Sequence, residues 1–581
     1  MACRNRSRLL YYTVLGGGLV AFAATLAPSH ARADADDKVN RLIQLLIQKK
    51  VLDTKQAHEL LEETNAPAKP KRRAPVATTP EAAPPAKPGE IRVTYVPDFI
   101  RKQIADQVRA QVMTEAETEG WAAPDALPEW TKRFTLYGDM RVRYERDSFG
   151  QGNSNQFTNF ASINNGSAFD ANNYGTGSLA QGNPPFLNTT EDRDRPRVRA
   201  RLGVLADIDE GWTADFRFTT GADNGPVSPN QTMGTPGDFA KYNVYIDRAS
   251  LSYTPAPGVT LWAGREANPF FTTDLIFYNE LNFDGIAAKV NEPLTSGLRG
   301  FVSGGVFPVF NTAFDFSTNS DEKFGSTNAY LFAIQGGFDW QVRPNLQAKL
   351  GVGFFDFNGV QGAVSQPCNV QLGNVYTCST DDTRFPFQQF GNTVYAIRNI
   401  VTVPTAPPAV SPNPQYYGLA SRFAVLEVHP RVEIDNFLPV QVAISGEYLK
   451  NLAYDRDAIL DHGPPNGPIG PQNNVIGKNF YYEGGDTAYM VRAEVGQLQI
   501  KKRWDWNVML AYKYLQTDPT LDSINDSDFH LGGTNAKGYI LTGSLGVAHN
   551  TFVSLRWFSA QVVSGPRDDN DVVQLDLQSS F

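Results

Sequence analysis

The chain has 581 residues, of which 41% are hydrophobic, and a formal net charge of −9. Mean hydropathy is −0.33. The acidic balance disfavours general nucleic-acid binding, and beyond the N-terminus no apolar run is long enough for a membrane helix, which leaves open a membrane protein whose strands hide their apolarity in alternation.

Residues 1–33 read as a secretory signal peptide. Arg4, Arg6 and Arg8 give the charged start, Leu9 to Ala27 the apolar segment, and Ala31-Arg32-Ala33 a small-x-small cleavage site. An uncleaved anchor helix is the other reading. Cys3 precedes the apolar segment, so it is no lipoprotein cysteine. Residues 34–65 predict a helical hairpin: Val39, Leu42, Ile43, Leu46 and Ile47 follow helical spacing. Asp53 caps its second helix, with Gln56 at the capping-box position. Residues 66–90 form a disordered linker rich in Pro, Ala and Lys. Residues 91–130 are a periplasmic helix and lead-in, helical over 98–119, either a coiled-coil spacer or a solvated helix below a barrel mouth.

Residues 131–581 predict an all-β transmembrane barrel, antiparallel, of about 16 strands within a range of 14–18. The signal is clearest from Arg193 to Gly221. Pro196, Val198, Ala200, Leu202, Val204, Ala206 and Ile208 take one face, and Arg193, Arg195, Arg197, Arg199 and Arg201 the other. Sixteen alternating segments follow one another: 133–145, 195–208, 211–221, 243–254, 258–266, 283–291, 297–307, 329–341, 345–356, 422–433, 438–449, 486–498, 503–515, 537–548, 550–560 and 571–581. Two of them, 258–266 and 283–291, alternate weakly. Short connections near Asp209, Pro255-Pro257, Leu294, Pro344, Asn436, Lys501 and His549 alternate with long ones at 146–194, 222–242, 267–282, 308–328, 357–421, 450–485, 516–536 and 561–570. Tight turns at one end and long loops at the other are the outer-membrane pattern, with both termini on the periplasmic side. Trp340, Trp504, Trp506, Tyr512, Tyr514, Trp557 and Phe558 suit interfacial girdles. Phe581 ends an amphipathic last segment and looks like the signal read by barrel-assembly machinery. Cys368 and Cys378 share the longest loop and are expected to pair in an oxidising compartment.

Two stretches carry a resemblance: G-R-E-A-N-P-F-F-T-T-D-L-I-F-Y-N-E-L-N-F-D-G, from Gly264 to Gly285, and S-D-F-H-L-G-G-T-N-A-K-G-Y, from Ser527 to Tyr539. The lead-in, with Y-V-P-D-F at 95–99 and G-D-M-R-V-R-Y-E at 138–145, agrees. Nearly the whole mature chain resembles the bacterial "putative porin" family. The resemblance implies an outer-membrane barrel and passive transport; it names no solute and carries over no site residues.

A diffusion pore needs a wet, charged constriction. Arg141 and Arg143 point inward from one strand, and Arg197, Arg199 and Arg201 from the next, with Arg217 following. The third long loop, 267–282, is unusually apolar and carries Asp274 and Glu280. It is expected to fold into the lumen and set those carboxylates across the pore from the arginine wall, giving a transverse field that mildly favours anions. On the other reading the arginines pair with Asp139, Asp215 and Glu145 and only hold the wall together. Asp522, Asn525, Asp526 and Asp528 read as a solvated external loop rather than a Ca²⁺ site.

The function read here is an outer-membrane porin passing small hydrophilic solutes or ions by passive diffusion. The alternative is a structural anchor tethering the envelope to the cell wall through the N-terminal helices. No G-x-S-x-G or P-loop is present, and the scattered histidines lack metal-ligand spacing, so neither enzyme, metal nor cofactor is expected. Expected partners are outer-membrane lipid, the assembly machinery and a homotrimer of this chain.

Overall fold

The computed structural model describes residues 129–581 apart from 172–182, 222–224, 313–314, 317–322, 370–376, 386, 402–412 and 477–480, together with 107–108, which are helical. The signal segment 1–33, the hairpin 34–65, the linker 66–90 and nearly all of the lead-in helix lie outside the described residues.

Alternation of apolar and polar residues builds long strands here because one face has lipid to meet and the other a polar interior. The main sheet has 17 strand segments, one of them the two-residue Gln231–Thr232. The other 16 form the barrel. In chain order they are β1 Phe134–Phe149, β2 Arg193–Asp209, β3 Trp212–Thr219, β4 Tyr245–Ala256, β5 Val259–Ala267, β6 Asn282–Thr295, β7 Leu298–Asn311 and β8 Asn328–Arg343. Then come β9 Leu346–Asn358, β10 Phe423–Phe437, β11 Val440–Asn451, β12 Thr487–Gly496, β13 Trp506–Leu515, β14 Ala536–Ala548, β15 Thr551–Val562 and β16 Asp569–Ser580. Every predicted segment falls on one of them.

Each strand pairs antiparallel with its neighbours in sequence. The sheet closes where β16 meets β1, in register from Asp139↔Ser580 to Phe149↔Asn570. Closure leaves no open edge strand whose backbone groups would face lipid unpaired. The last residue joins the seam: Phe581 and Gly138 exchange both backbone hydrogen bonds, at 3.0 and 3.2 Å. A Cβ on Gly138 would stand 2.8 Å from the Phe581 ring, so the missing side chain makes room for it.

Strand connections at one end are mostly tight. Glu210 and Gly211, both at positive φ, make the β2–β3 turn of the kind that matches strand twist. The other end carries the long loops. Outward residues such as Leu136, Met140, Val142, Leu202, Ile286, Ile334, Leu510, Leu555, Leu575 and Leu577 are exposed, an apolar belt that suits lipid rather than water. Aromatics mark its margins. Trp212 stacks on Tyr253 at 4.6 Å near the turn end, where Trp340, Trp504 and Trp506 are also exposed. Near the loop end Tyr489 stacks on Tyr514 at 5.2 Å, and Tyr512 lies 5.0 Å from Tyr539. Phe558 departs from the expected girdle: it faces inward and is buried, whereas its neighbour Trp557 is exposed. Adjacent strand residues face opposite sides, so only one of the two can meet lipid.

The two weak segments have a physical explanation. On β5, β6, β7 and β9 the inner face carries Trp262, Phe283, Phe307 and Phe355, all buried. With both faces apolar, the alternation fades.

Candidate functional site

The loop between β5 and β6 lies in the lumen. Its first turn is set locally: Asn268 Oδ1 accepts from the Phe270 N–H at 2.9 Å, and Asn268 Nδ2 donates to Thr272 Oγ1 at 3.0 Å. Burial then fixes its path. Phe270, Leu275, Ile276, Phe277, Tyr278 and Leu281 are all buried. Phe270 and Phe277 meet Phe355 edge-on at 5.1 and 5.2 Å, and Phe277 meets Phe283 at 5.0 Å. An apolar loop stretch that would be costly in water thus packs on an apolar patch of the inner wall.

Polar contacts carry the loop across to the other strands. The Phe271 N–H donates to Gln335 Oε1 of β8 at 2.7 Å, and Gln335 Nε2 returns a bond to Phe271 O at 2.9 Å. The Phe271 ring stacks on His429 of β10, centroids 4.1 Å apart. Gly351 makes this possible, since a Cβ there would lie 3.2 Å from the Phe271 ring. The Thr273 hydroxyl donates to Glu447 of β11 in a close contact. Asp274 pairs with Lys513 of β13 at 3.1 Å and with Arg492 of β12 at 3.5 Å. At the far end of the loop Glu280 pairs with Arg141 of β1 at 3.5 Å and makes a close contact with Arg199 of β2.

These positions correct the expected transverse field. Glu280 touches the arginine wall instead of facing it across a gap, and Asp274 reaches other strands. A buried carboxylate gains more from direct pairing than from a distant field.

The arginine wall is an interlocked ladder. In register, Arg141 opposes Arg199 and Arg143 opposes Arg197, a like-charge arrangement that is unfavourable by itself. Carboxylates opposite and diagonal to these arginines neutralise it. Asp139 holds Arg199 at 2.5 Å and Arg201 at 2.7 Å. Glu145 holds Arg197 at 3.3 Å, Arg143 at 3.7 Å and Arg195 in a close contact. Arg143 also binds Asp576 at 2.7 Å and Asp528 at 3.2 Å. Arg141 donates to Asn230 at 2.6 Å. Arg217 pairs with Asp247 at 2.6 Å. Asp215 is not a ladder partner; it pairs with Arg248 at 3.3 Å and accepts from the Tyr137 hydroxyl at 2.5 Å.

Asp576 and Asn230 were not singled out in the sequence, and Asp528 was read only as part of a solvated loop. Asp576 was legible in principle, since it alternates with apolar residues on the last strand. Asp528 was not, because residues 522–528 read as a solvated loop. Asp522, Asn525, Asp526 and Asp528 are instead buried. The loop 516–535 docks on the β5–β6 loop: Tyr278 N–H donates to Ile524 O at 2.9 Å and Asp526 N–H to Asp274 O at 3.2 Å.

The carboxyls of this loop shift in two directions. Burial would raise Asp528, but Arg143, Arg556 and Arg141 outweigh it and hold that carboxyl well below the ordinary range. Asp522 has no such partner, and burial with help from Asp518 pushes it up to about 7. Asp526 rises to about 6 through burial, against the pull of Lys513. His530 is lowered to about 4 by burial.

Cys368 and Cys378 form a disulfide, their Cα atoms 5.7 Å apart, in the loop between β9 and β10. Among the described residues no cluster of three or more His, Cys, Asp or Glu has metal-site geometry.

No curated protein matches the sequence. Solved structures do align, at low identity and low TM-score. OmpF of Salmonella typhi, solved with daunomycin, aligns at 9% identity and a TM-score of 0.34, covering 77% of this chain and 97% of that one. The outer membrane channel DcaP of Acinetobacter baumannii aligns at 10% and 0.34, covering 77% and 97%. OpdQ of Pseudomonas aeruginosa aligns at 9% and 0.33, covering 77% and 98%. The family model described as "Putative porin" matches residues 36–581. The chain therefore belongs to the "Putative porin" family, a family of outer-membrane β-barrels.

Proposed function

We propose that the protein is a passive diffusion channel of the outer membrane for small hydrophilic solutes, narrowed from within by the loop 268–281. The observation that carries this reading is the loop's path. It leaves β5, touches Gln335, His429, Glu447, Arg492 and Lys513 around the wall, and returns past Arg141 and Arg199 to β6. A side chain network tied at so many points sets a fixed aperture, so size limits passage, and the charges lining the lumen bias it. No energy source enters this mechanism. The terminal Phe581 acts on this reading as part of the signal by which the barrel is inserted.

The test is single-channel conductance of the purified, folded protein in a planar bilayer. Stepwise openings are expected. A silent bilayer from protein whose heat-modifiable gel migration proves a folded barrel would defeat the channel reading.

A further inference from the structure

On the turn side of the loop the inner wall carries a second group of cations. Lys289 of β6, Arg299 of β7 and Lys349 of β9 line a cavity of about 310 Å³, with Pro269, Phe271 and Phe301 forming its apolar part. Among the described residues no carboxylate lies within ion-pairing distance of any of the three. The acid lining the cavity is Asp339. In register it stands between Arg299 and Lys349, and its carboxylate accepts from Gln347 Nε2 at 2.6 Å. The Lys349 ammonium lies over two ring faces, 3.9 Å from the Phe271 centroid and 5.1 Å from that of Phe301, with Asp339 opposite it on the neighbouring strand. A ring face neutralises far less charge than a carboxylate does. One half of the cavity therefore sets three cations against one carboxylate, and the other half is apolar.

We infer that this cavity is a solute subsite for small amphipathic carboxylates of about the size of benzoate. The solute's carboxylate is drawn to the three cations, which outnumber the one acid, Asp339. The apolar part covers Pro269 and the two phenylalanines and displaces water from them. An inorganic anion would use the cations alone, and a neutral aromatic the apolar half alone. The inference rests on the channel reading only for the claim that the bound solute is in transit.

The experiment is calorimetric titration of the folded, detergent-solubilised full chain with sodium benzoate, sodium acetate and benzyl alcohol. Benzoate is expected to bind several-fold more tightly than either of the others. Lys349→Gln and Arg299→Gln should each weaken benzoate binding several-fold. Arg299 is exposed to the lumen, so its variant keeps the test valid even where Lys349→Gln fails to fold. Equal affinity for benzoate and acetate, or a benzoate preference retained in every folded variant, would overturn the inference. KCl conductance of the same preparation separates the two readings. A conducting barrel indifferent to benzoate removes the subsite only; a silent barrel that binds benzoate removes the channel only.

Discussion

Two sectors of the inner wall carry many cations and treat them in opposite ways. On β1–β3 each arginine of the ladder has a carboxylate or an amide within reach, and Arg143 and Arg199 are almost wholly buried. On β6–β9 Lys289, Arg299 and Lys349 face a cavity with one acid among three cations. The lesson is that the number of arginines in a strand does not measure the field a solute meets. Charges locked in buried pairs hold strands and loop together, while charges short of partners remain available to a passing anion.

The comparison is broken most forcefully at Arg143. Its loss strands Asp528 and Asp576 without their main partner, and breaking a buried pair from one side costs about 3–5 kcal/mol. Arg143→Gln should lower the urea midpoint of the folded barrel clearly, whereas Arg265→Gln, in a partly exposed pair with Asp284, should change stability by less than about 1 kcal/mol. Equal effects would erase the distinction between the buried ladder and an exposed pair.

Next in size is the loop. Gly351→Val places a side chain where Phe271 now lies, and Glu280→Gln weakens the tie to Arg141 and Arg199. Both variants should raise single-channel conductance, and the double variant more than either. Unchanged conductance in all three would mean that the loop does not set the aperture.

The smallest effect concerns pH. Asp522, raised to about 7, is protonated in the folded loop at a pH where an unfolded carboxyl has ionised. The folded state then binds the extra proton, so its stability falls as pH rises from about 4 to about 7. His530, lowered to about 4, acts in the opposite direction, but only below its unfolded value of about 6.5. Between pH 6.5 and 8 the carboxyls alone remain. Hydrogen exchange over 516–535, corrected for the intrinsic rate, should therefore show less protection at pH 8 than at pH 6.5, and Asp522→Asn should flatten the difference.

The barrel was legible because lipid on one side and a polar interior on the other impose a period of 2 that survives for a dozen residues, as on β2. It faded on β5 and β6, where Trp262 and Phe283 turn an apolar face inward to receive the loop. The ladder's partners were legible only where strand register is local, as for Asp139 and Glu145 against their neighbours on β2. Asp528 was read as solvated because its loop has the composition of an exposed one and its partner Arg143 lies 385 residues away. The cation group on β6–β9 escaped notice, since Lys289, Arg299 and Lys349 come from three strands and each looks ordinary in its own.

The central claim is tested most directly by the reversal potential in a KCl gradient, measured for the parent channel, for Arg197→Gln and for the double variant Lys349→Gln with Arg299→Gln. The account predicts an anion-leaning parent, a shift toward cations in the double variant, and a smaller shift for Arg197→Gln, whose charge is already matched by Glu145. A larger shift from Arg197→Gln than from the double variant would contradict it and return selectivity to the arginine wall.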